Sequence, residues 1–240
     1  KPGSVRDCRE FYRTHGEVKG FEIFGNNRYI YQYISDKYPE KEILFDINKI
    51  KLVTIDIEVK SEKGFPTVQA CDEEMLCITL QDYATKRILT FGVGPYHHND
   101  PMVKYVQCND EYDMLQHFIK FWSHDPPEVV TGWNCQLYDI AYLAKRITKV
   151  LGEKACKKLS PWGLVTHEEI YLQGRAHTIY DIGGVTVLDY LDLYRKFTYK
   201  AQESYKLDYI GEVELGKKKL DHSEFDTFKD FYTKARNKFV

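Results

Sequence analysis

The chain has 240 residues, 43% of them hydrophobic and 29% charged, with a formal net charge of −2. This length suits one large domain, or one and a half, with a substantial core. The small net charge excludes a general affinity for DNA or membrane surfaces, so any nucleic-acid site must be local. The six cysteines include no Cys-x-x-Cys pair, which favours reduced intracellular thiols over a disulfide framework or a zinc site. No apolar run is long enough to span a membrane and no signal peptide is visible, so we predict a cytoplasmic protein.

Residues 1–50 are predicted to be the remnant of a separate domain. They are polar and aromatic and show no complete pattern of secondary structure. The chain opens at Lys1 and ends at Val240 without recognisable terminal signals, so we expect it to be a fragment.

The segment Leu52–Val59 is an apolar, β-branched run of the composition that central strands buried on both faces have. It nevertheless carries two carboxylates, Asp56 and Glu58. Side chains two residues apart project from the same face of a strand, so these acids repel each other and lose hydration there. A divalent cation such as Mg²⁺ or Mn²⁺ would neutralise them, because such ions prefer carboxylate oxygen. The alternative is an edge strand with a solvated acidic face.

The remaining pattern predicts strands and helices in alternation. After a turn at 60–66, strands are predicted at 75–83, 87–93, 103–108 and 128–134, helices at 111–123 and 138–151, a hairpin at 164–187, a strand at 185–190, a short helix or extended segment at 191–197, and a helix at 204–215. This order predicts a mixed β-sheet flanked by helices, an α/β or α+β layer architecture.

Asn134 and Asp139 lie where the predicted strand at 128–134 leads into a helix. Loops at strand ends are where α/β sheets place their active sites. An aspartate in the first turn of a helix is also favoured by the helix dipole alone, and an asparagine also favours a turn. Taken alone, this motif is therefore not specific.

In combination, Asp56-x-Glu58 and Gly-Trp-Asn134-(x)4-Asp139 resemble the first two motifs of the 3′→5′ proofreading exonuclease domain of family B DNA polymerases. Segments 188–197 and 204–209 match as well. The turn around Phe65 and the hairpin at 164–187 fit the polymerases of T-even-type tailed phages. The resemblance covers about residues 5 to 240. It implies an RNase H-like fold at 51–240, part of a polymerase N-terminal domain at 1–50, and a location in the host-cell cytoplasm.

The resemblance also implies a reaction, the hydrolysis of the 3′-terminal phosphodiester of single-stranded or frayed DNA with two Mg²⁺ or Mn²⁺ ions. Asp56 would bridge both ions, Glu58 would bind one and orient the attacking water, and Asp139 would hold the second. Phe65 would stack on the terminal bases and Asn134 would contact DNA. The hairpin at 164–187 would help to separate primer from template.

Basic residues form two groups. Residues 145–158, with six lysines and arginines, are predicted to be mainly a solvated helix face. Lys219, which follows Leu215-Gly216, is implied by the resemblance to face a DNA phosphate. The implied partners are DNA, a polymerase domain in the same or a second chain, and a sliding clamp bound through the complete polymerase.

The chain departs from the family at a third motif, a tyrosine four residues before an aspartate. The tyrosine that follows Lys219 is Tyr232, and the residue four positions after it is Arg236 rather than an aspartate. We therefore expect these 240 residues to stop short of the motif and to have little or no nuclease activity alone. Two alternatives stay open, a stand-alone nuclease of the wider DEDD group and a non-catalytic DNA- or partner-binding module.

Overall fold

The computed structural model describes residues 4–23, 29–39, 42, 44–172, 174–218 and 224–240. The chain forms two compact units, Lys1–Asp46 and Ile47–Val240. The described part of the first unit contains helices α1 (Val5–His15) and α2 (Tyr29–Lys37). Ser4 begins α1 with a capping box, in which it and Asp7 each accept the other's backbone N–H. The assignment of residues 1–50 to a polymerase N-terminal domain stays a prediction.

The second unit is built around a six-stranded mixed sheet. Its strands in chain order are β1 (Leu52–Val59), β2 (Met75–Asp82), β3 (Ile88–Val93), β4 (Val103–Cys108) and β5 (Val129–Gly132), and, after the two-stranded ribbon of β6 (Val165–Leu172) and β7 (Arg175–Ile182), β8 (Thr186–Asp189). The order across the sheet is β4-β3-β2-β1-β5-β8. β1 is antiparallel to β2 and parallel to β5, and β5 is parallel to β8. The mixed sheet that the sequence predicted is therefore confirmed.

Helices flank this sheet. They are α3 (Glu111–His124), α4 (Asp139–Leu151), α5 (Glu153–Cys156), α6 (Tyr190–Phe197), α7 (Leu207–Leu215), α8 (Phe228–Lys234) and α9 (Arg236–Phe239). The apolar stripes of α3 and α4 form the core together with the sheet, and Trp122, Phe118 and Tyr142 are its largest fully buried side chains. Burial of this amphipathic pattern provides the main stabilisation of the unit. The architecture is the α/β arrangement expected of an RNase H-like domain.

Strand β1 has one core face and one open face. Val53, Ile55, Ile57 and Val59 are all buried, whereas Asp56 is exposed and Glu58 is partly exposed. The prediction of a strand buried on both faces is therefore wrong. Side chains alternate along the strand, so the apolar residues face the core and the two carboxylates face the hydrated side. A charge on the hydrated side carries a smaller desolvation cost.

The predicted hairpin is confirmed as an antiparallel ribbon separate from the main sheet. Its register runs from Val165 opposite Ile182 to Leu172 opposite Arg175, and Tyr171 near the tip is 76% exposed. Within the described ranges, no helix has the length and apolarity needed to cross a membrane.

Candidate active site

Two carboxylates of β1 and one of α4 lie in the same part of the domain and influence one another electrostatically. Asp56 and Glu58 belong to β1, and Asp139 is the first residue of α4, which follows the neighbouring strand β5. The backbone N–H of Ile57, between the two β1 acids, donates to Oδ1 of Asp139 across 3.1 Å. Asp139 is only 5% exposed. The structure therefore places Asp139 against the segment of β1 that carries Asp56 and Glu58, and their role as site residues stays a prediction.

The carboxylates act on one another electrostatically. Burial, and then the negative charge of Asp56, raise the pKa of Asp139 to about 8, with a smaller contribution from Glu58. The hydrogen bond from Ile57 opposes this rise, because it favours the charged form. A cation between these groups would favour their ionised forms, and three carboxylates are the donor set that Mg²⁺ and Mn²⁺ prefer. The chemistry of the site thus fits a hard divalent metal.

Phe65 lies next to this group on the turn after β1. Its ring is 78% exposed and its centroid is 5.4 Å from that of Tyr138, the residue before Asp139. Gly64 makes the turn possible with a φ of +98°, and the Ser61 hydroxyl donates to the Gly64 carbonyl. Burial and the charge of Asp139 raise the pKa of Tyr138, and the charges of Glu58 and Asp56 also contribute to this rise. An exposed aromatic ring therefore lies beside Tyr138, the residue that precedes the Asp139 carboxylate.

Asp189, at the end of β8, organises the loop between β5 and α4. It is 6% exposed and accepts hydrogen bonds from the backbone N–H groups of Asn134 (2.9 Å), Gln136 (3.0 Å) and Leu191 (3.0 Å). Asn134 has a φ of +62°, a left-handed conformation that asparagine tolerates better than most residues. Sequence reasoning missed the role of Asp189. The available signal was an aspartate near the end of the strand predicted at 185–190, just before a segment predicted as a short helix or extended, because aspartate is a preferred N-cap residue.

Comparison with known proteins identifies the family. Residues 26–210 match the family model described as DNA polymerase family B, exonuclease domain. This chain belongs to that family. It is 30% identical to the DNA-directed DNA polymerase of Escherichia phage RB69 and 30% identical to that of Enterobacteria phage T4, in each case over 91% of this chain. It is also 27% identical, over 73% of its length, to the DNA polymerase catalytic subunit of Psittacid herpesvirus 1. The chain spans about 27% of the length of the two phage relatives.

The glycine and tryptophan that precede Asn134 position the loop of this family B exonuclease domain. A Cβ atom on Gly132 would lie 2.7 Å from the carbonyl oxygen of Ile55, so β1 and β5 approach closely there. Trp133 Nε1 donates to the carbonyl of Tyr205 across 3.1 Å, and its ring packs near those of Tyr190 and Tyr194. The loop is therefore held from β1 on one side and from the segment before α7 on the other.

The prediction of a solvated basic face on α4 is wrong for Arg146, which is buried, and Lys145 is partly buried, whereas Lys149 is exposed as predicted. Lys145 donates to the carbonyl of Gln69 (2.7 Å), and Lys149 and Arg146 donate to that of Cys71 (3.0 and 3.1 Å). Buried Arg146 also forms a two-pronged ion pair with buried Glu111, at 2.6 and 2.7 Å. Backbone carbonyl groups in the segment before β2 therefore accept hydrogen bonds from these three side chains. The lysines at 154, 157 and 158 are exposed, as predicted.

The third family motif has no counterpart among the last residues of the sequence. Tyr232 lies in α8 and is 5% exposed. Nη2 of Arg236, four residues on, donates to the Tyr105 hydroxyl across 3.3 Å. Lys219 lies outside the described residues, so its predicted phosphate contact stays a prediction.

Proposed function

We propose that these 240 residues are the 3′→5′ proofreading nuclease portion of a replicative family B DNA polymerase. Its reaction would be hydrolysis of the 3′-terminal phosphodiester of single-stranded or frayed DNA. The observation that carries the proposal is the hydrogen bond between Ile57 N–H and Asp139, which joins the first two carboxylate motifs at one site. Membership of the exonuclease-domain family supports the same conclusion.

The proposed metal ligands are Asp56, Glu58 and Asp139, and the proposed ions are Mg²⁺ or Mn²⁺. When bound, two such ions supply an activated water and neutralise charge at the leaving oxygen. The role of this chain would be to hold its carboxylates in position to bind these cations. The contact of Asp139 with Ile57 fixes one acid, and the alternation of β1 presents the other two on the hydrated face. Because these side chains are already positioned, less structural rearrangement is required when DNA binds.

The proposed DNA contacts surround this face. The exposed ring of Phe65 offers a stacking surface for a terminal base, an interaction of about 1–3 kcal/mol per base. Asn134 is proposed to contact the strand beside the carboxylates, and Lys219 to act as a point charge on a phosphate. The ribbon of β6 and β7 is proposed to help separate the primer end from its template. These local contacts are compatible with a chain whose net charge is −2.

We further propose that the 240-residue polypeptide alone is a weak or inactive nuclease. No tyrosine in the sequence after Lys219 precedes an aspartate by four residues. Loss of one carboxylate ligand from a two-metal site costs several kcal/mol of transition-state stabilisation. Each ~1.4 kcal/mol lost lowers the rate tenfold. A polymerase domain, in the same or a second chain, would supply the missing groups. The sliding clamp would bind through that complete polymerase, in the cytoplasm of the phage host.

Degradation of a single-stranded oligonucleotide with Mn²⁺ tests the proposal. The 240-residue polypeptide should degrade it slowly or not at all. Addition of a polypeptide that carries the Tyr-x-x-x-Asp motif should raise the rate. The gain should disappear with Asp56→Ala and persist with Glu203→Ala, which removes an exposed carboxylate elsewhere. Rapid degradation by the polypeptide alone, abolished by Asp56→Ala, would support the site and overturn the proposed inactivity.

Calorimetric titration with Mn²⁺ separates a nuclease site from a DNA-binding module whose acids are structural. We expect binding by the parent chain and its loss in Glu58→Ala, with Glu203→Ala unchanged. An absence of Mn²⁺ binding by the parent chain, together with retained binding of single-stranded DNA, would favour the non-catalytic module.

A further inference from the structure

A second group of metal-ligating side chains lies at the far edge of the sheet. The donor atoms of Cys108, Asp113 and His117 all lie within 4.8 Å of one another. Cys108 ends β4, the edge strand, and the other two residues lie one turn apart on α3, the helix that follows. Two strands, β3 and β2, lie between β4 and β1 in the sheet, so this group is distinct from the carboxylates of the candidate active site.

The three side chains are held by rigid elements. Cys108 is 1% exposed and pairs with Val93 in the parallel ladder between β3 and β4. Asp113 Oδ2 accepts hydrogen bonds from the backbone and side-chain nitrogens of Asn109 at 2.9 and 3.0 Å. Asp113 Oδ1 lies 3.1 Å from Nδ1 of His117, whose side chain is 50% exposed. One ligand is thus buried, one is oriented by a neighbour, and one is accessible to solvent.

The chemistry of this donor set points to a borderline transition metal. Thiolate, imidazole and carboxylate are the three ligand types of zinc, whereas Mg²⁺ and Ca²⁺ prefer oxygen alone. Ligands of a tetrahedral zinc ion lie about 3.5 Å apart, so small movements of the half-exposed imidazole would close the site. We propose that Cys108, Asp113 and His117 bind a zinc-class divalent ion, with a fourth position open to solvent.

A metal bound at this site would have to favour ionisation of a thiol that is otherwise held neutral. Burial, and then the negative charge of Asp113, raise the pKa of Cys108 to about 11, with a smaller contribution from Asp110. A bound cation would offset these negative charges and favour the thiolate. The ion would connect the edge strand β4 to α3, and so would stabilise an edge that otherwise ends in an exposed ladder. The site requires no Cys-x-x-Cys pair, which is why a cysteine-spacing pattern does not reveal it.

Titration of the reduced 240-residue chain with Co²⁺ and Zn²⁺ tests this site, with excess Mg²⁺ present to occupy carboxylate sites. We expect one equivalent of Co²⁺ to produce a thiolate-to-metal absorption band, and Zn²⁺ to displace it and raise the melting temperature. His117→Ala and Cys108→Ala should each lose the band, with affinity reduced by about a hundredfold or more. His124→Ala, on the same helix, and Cys156→Ser, another buried thiol, should behave like the parent chain.

The two site variants keep the test decisive if one of them folds poorly. Cys108 is buried, so Cys108→Ala could destabilise the core, whereas His117 lies half in solvent and its truncation leaves the core intact. An unchanged cobalt band in His117→Ala, or its absence in the parent chain, would overturn the proposal. Retention of the zinc-dependent melting shift in both variants would also overturn it.

Discussion

The backbone N–H of Ile57 donates to Oδ1 of Asp139, a residue 82 positions later in the chain. Because Ile57 stands between Asp56 and Glu58, this bond aligns the start of α4 with the acidic segment of β1. The hydrogen bond from this amide also offsets part of the energetic cost of burying the charged Asp139 carboxylate. One backbone group therefore ties together the two motifs on which the proposed chemistry depends.

The first prediction concerns the pH dependence of stability. The pKa of Asp139 rises from 3.8 to about 8 in the folded chain, so the folded state binds its proton more tightly than the unfolded state. The stabilisation by that proton is complete below pH 3.8 and is lost as the pH rises towards 8. We expect Asp139→Asn, which keeps an oxygen acceptor for Ile57, to be more stable than the parent chain at pH 8 without metal, by about 2 kcal/mol or more.

Urea unfolding in chelator at several pH values measures this difference. It should shrink as the pH falls towards 4, and saturating Mn²⁺ should stabilise the parent chain more than the variant. Asp192→Asn removes an exposed acid and serves as the control. A variant less stable than the parent at pH 8 without metal would contradict the prediction.

The second prediction concerns Asp189. Truncation in Asp189→Ala removes the acceptor of three backbone N–H groups in a buried setting, and we expect a loss of about 3 kcal/mol or more in the free energy of unfolding. Asp189→Asn, which keeps one oxygen, should cost less. Urea unfolding gives the free energies, and hydrogen exchange at the Asn134 amide reports the loop directly. Unchanged protection of that amide in Asp189→Ala would show that the loop does not depend on the carboxylate.

The third prediction concerns the buried ion pair between Glu111 and Arg146. Glu111→Ala leaves a buried guanidinium without its carboxylate, and also removes the acceptor for the Met75 N–H, so we expect a loss of about 3–5 kcal/mol. Glu212→Ala, which removes the exposed partner of Lys218, should change stability by less than about 1 kcal/mol. A double-mutant cycle with Arg146→Met isolates the coupling. Additive effects of the two single substitutions would refute the importance of the pair.

The fourth prediction concerns the tryptophan before Asn134. Trp133→Phe keeps an aromatic ring near Tyr190 and Tyr194 but loses the hydrogen bond to the Tyr205 carbonyl, so we expect a loss of about 1 kcal/mol. Trp162→Phe, at a site 69% exposed, is the matched control and should be nearly neutral. Denaturant unfolding of both variants compares the two costs. Equal losses would mean that the hydrogen bond to Tyr205 contributes nothing specific.

Local sequence patterns were sufficient for most elements. The apolar, β-branched run Leu52–Val59 and the helical stripe after Asp139 predict β1 and α4 nearly to the residue, because both signals come from residues that are close together in the chain. The helix predicted at 204–215 begins instead at Leu207. Lys206 is its N-cap, and Ser204 and Tyr205 lie before the helix, so the apolar pattern alone did not define the start.

The sequence by itself determined which residues are the candidates for the chemistry, since the acids of β1, the loop after β5 and the exonuclease motifs are all properties of short segments. Only the tertiary structure decided which face of β1 is open, that Asp189 holds the loop of Asn134, that Arg146 is buried, and that Cys108 meets His117. Strand order and helix placement create these relationships between distant segments. Burial and hydrogen-bond partners depend on that arrangement, whereas periodicity depends only on neighbours along the chain.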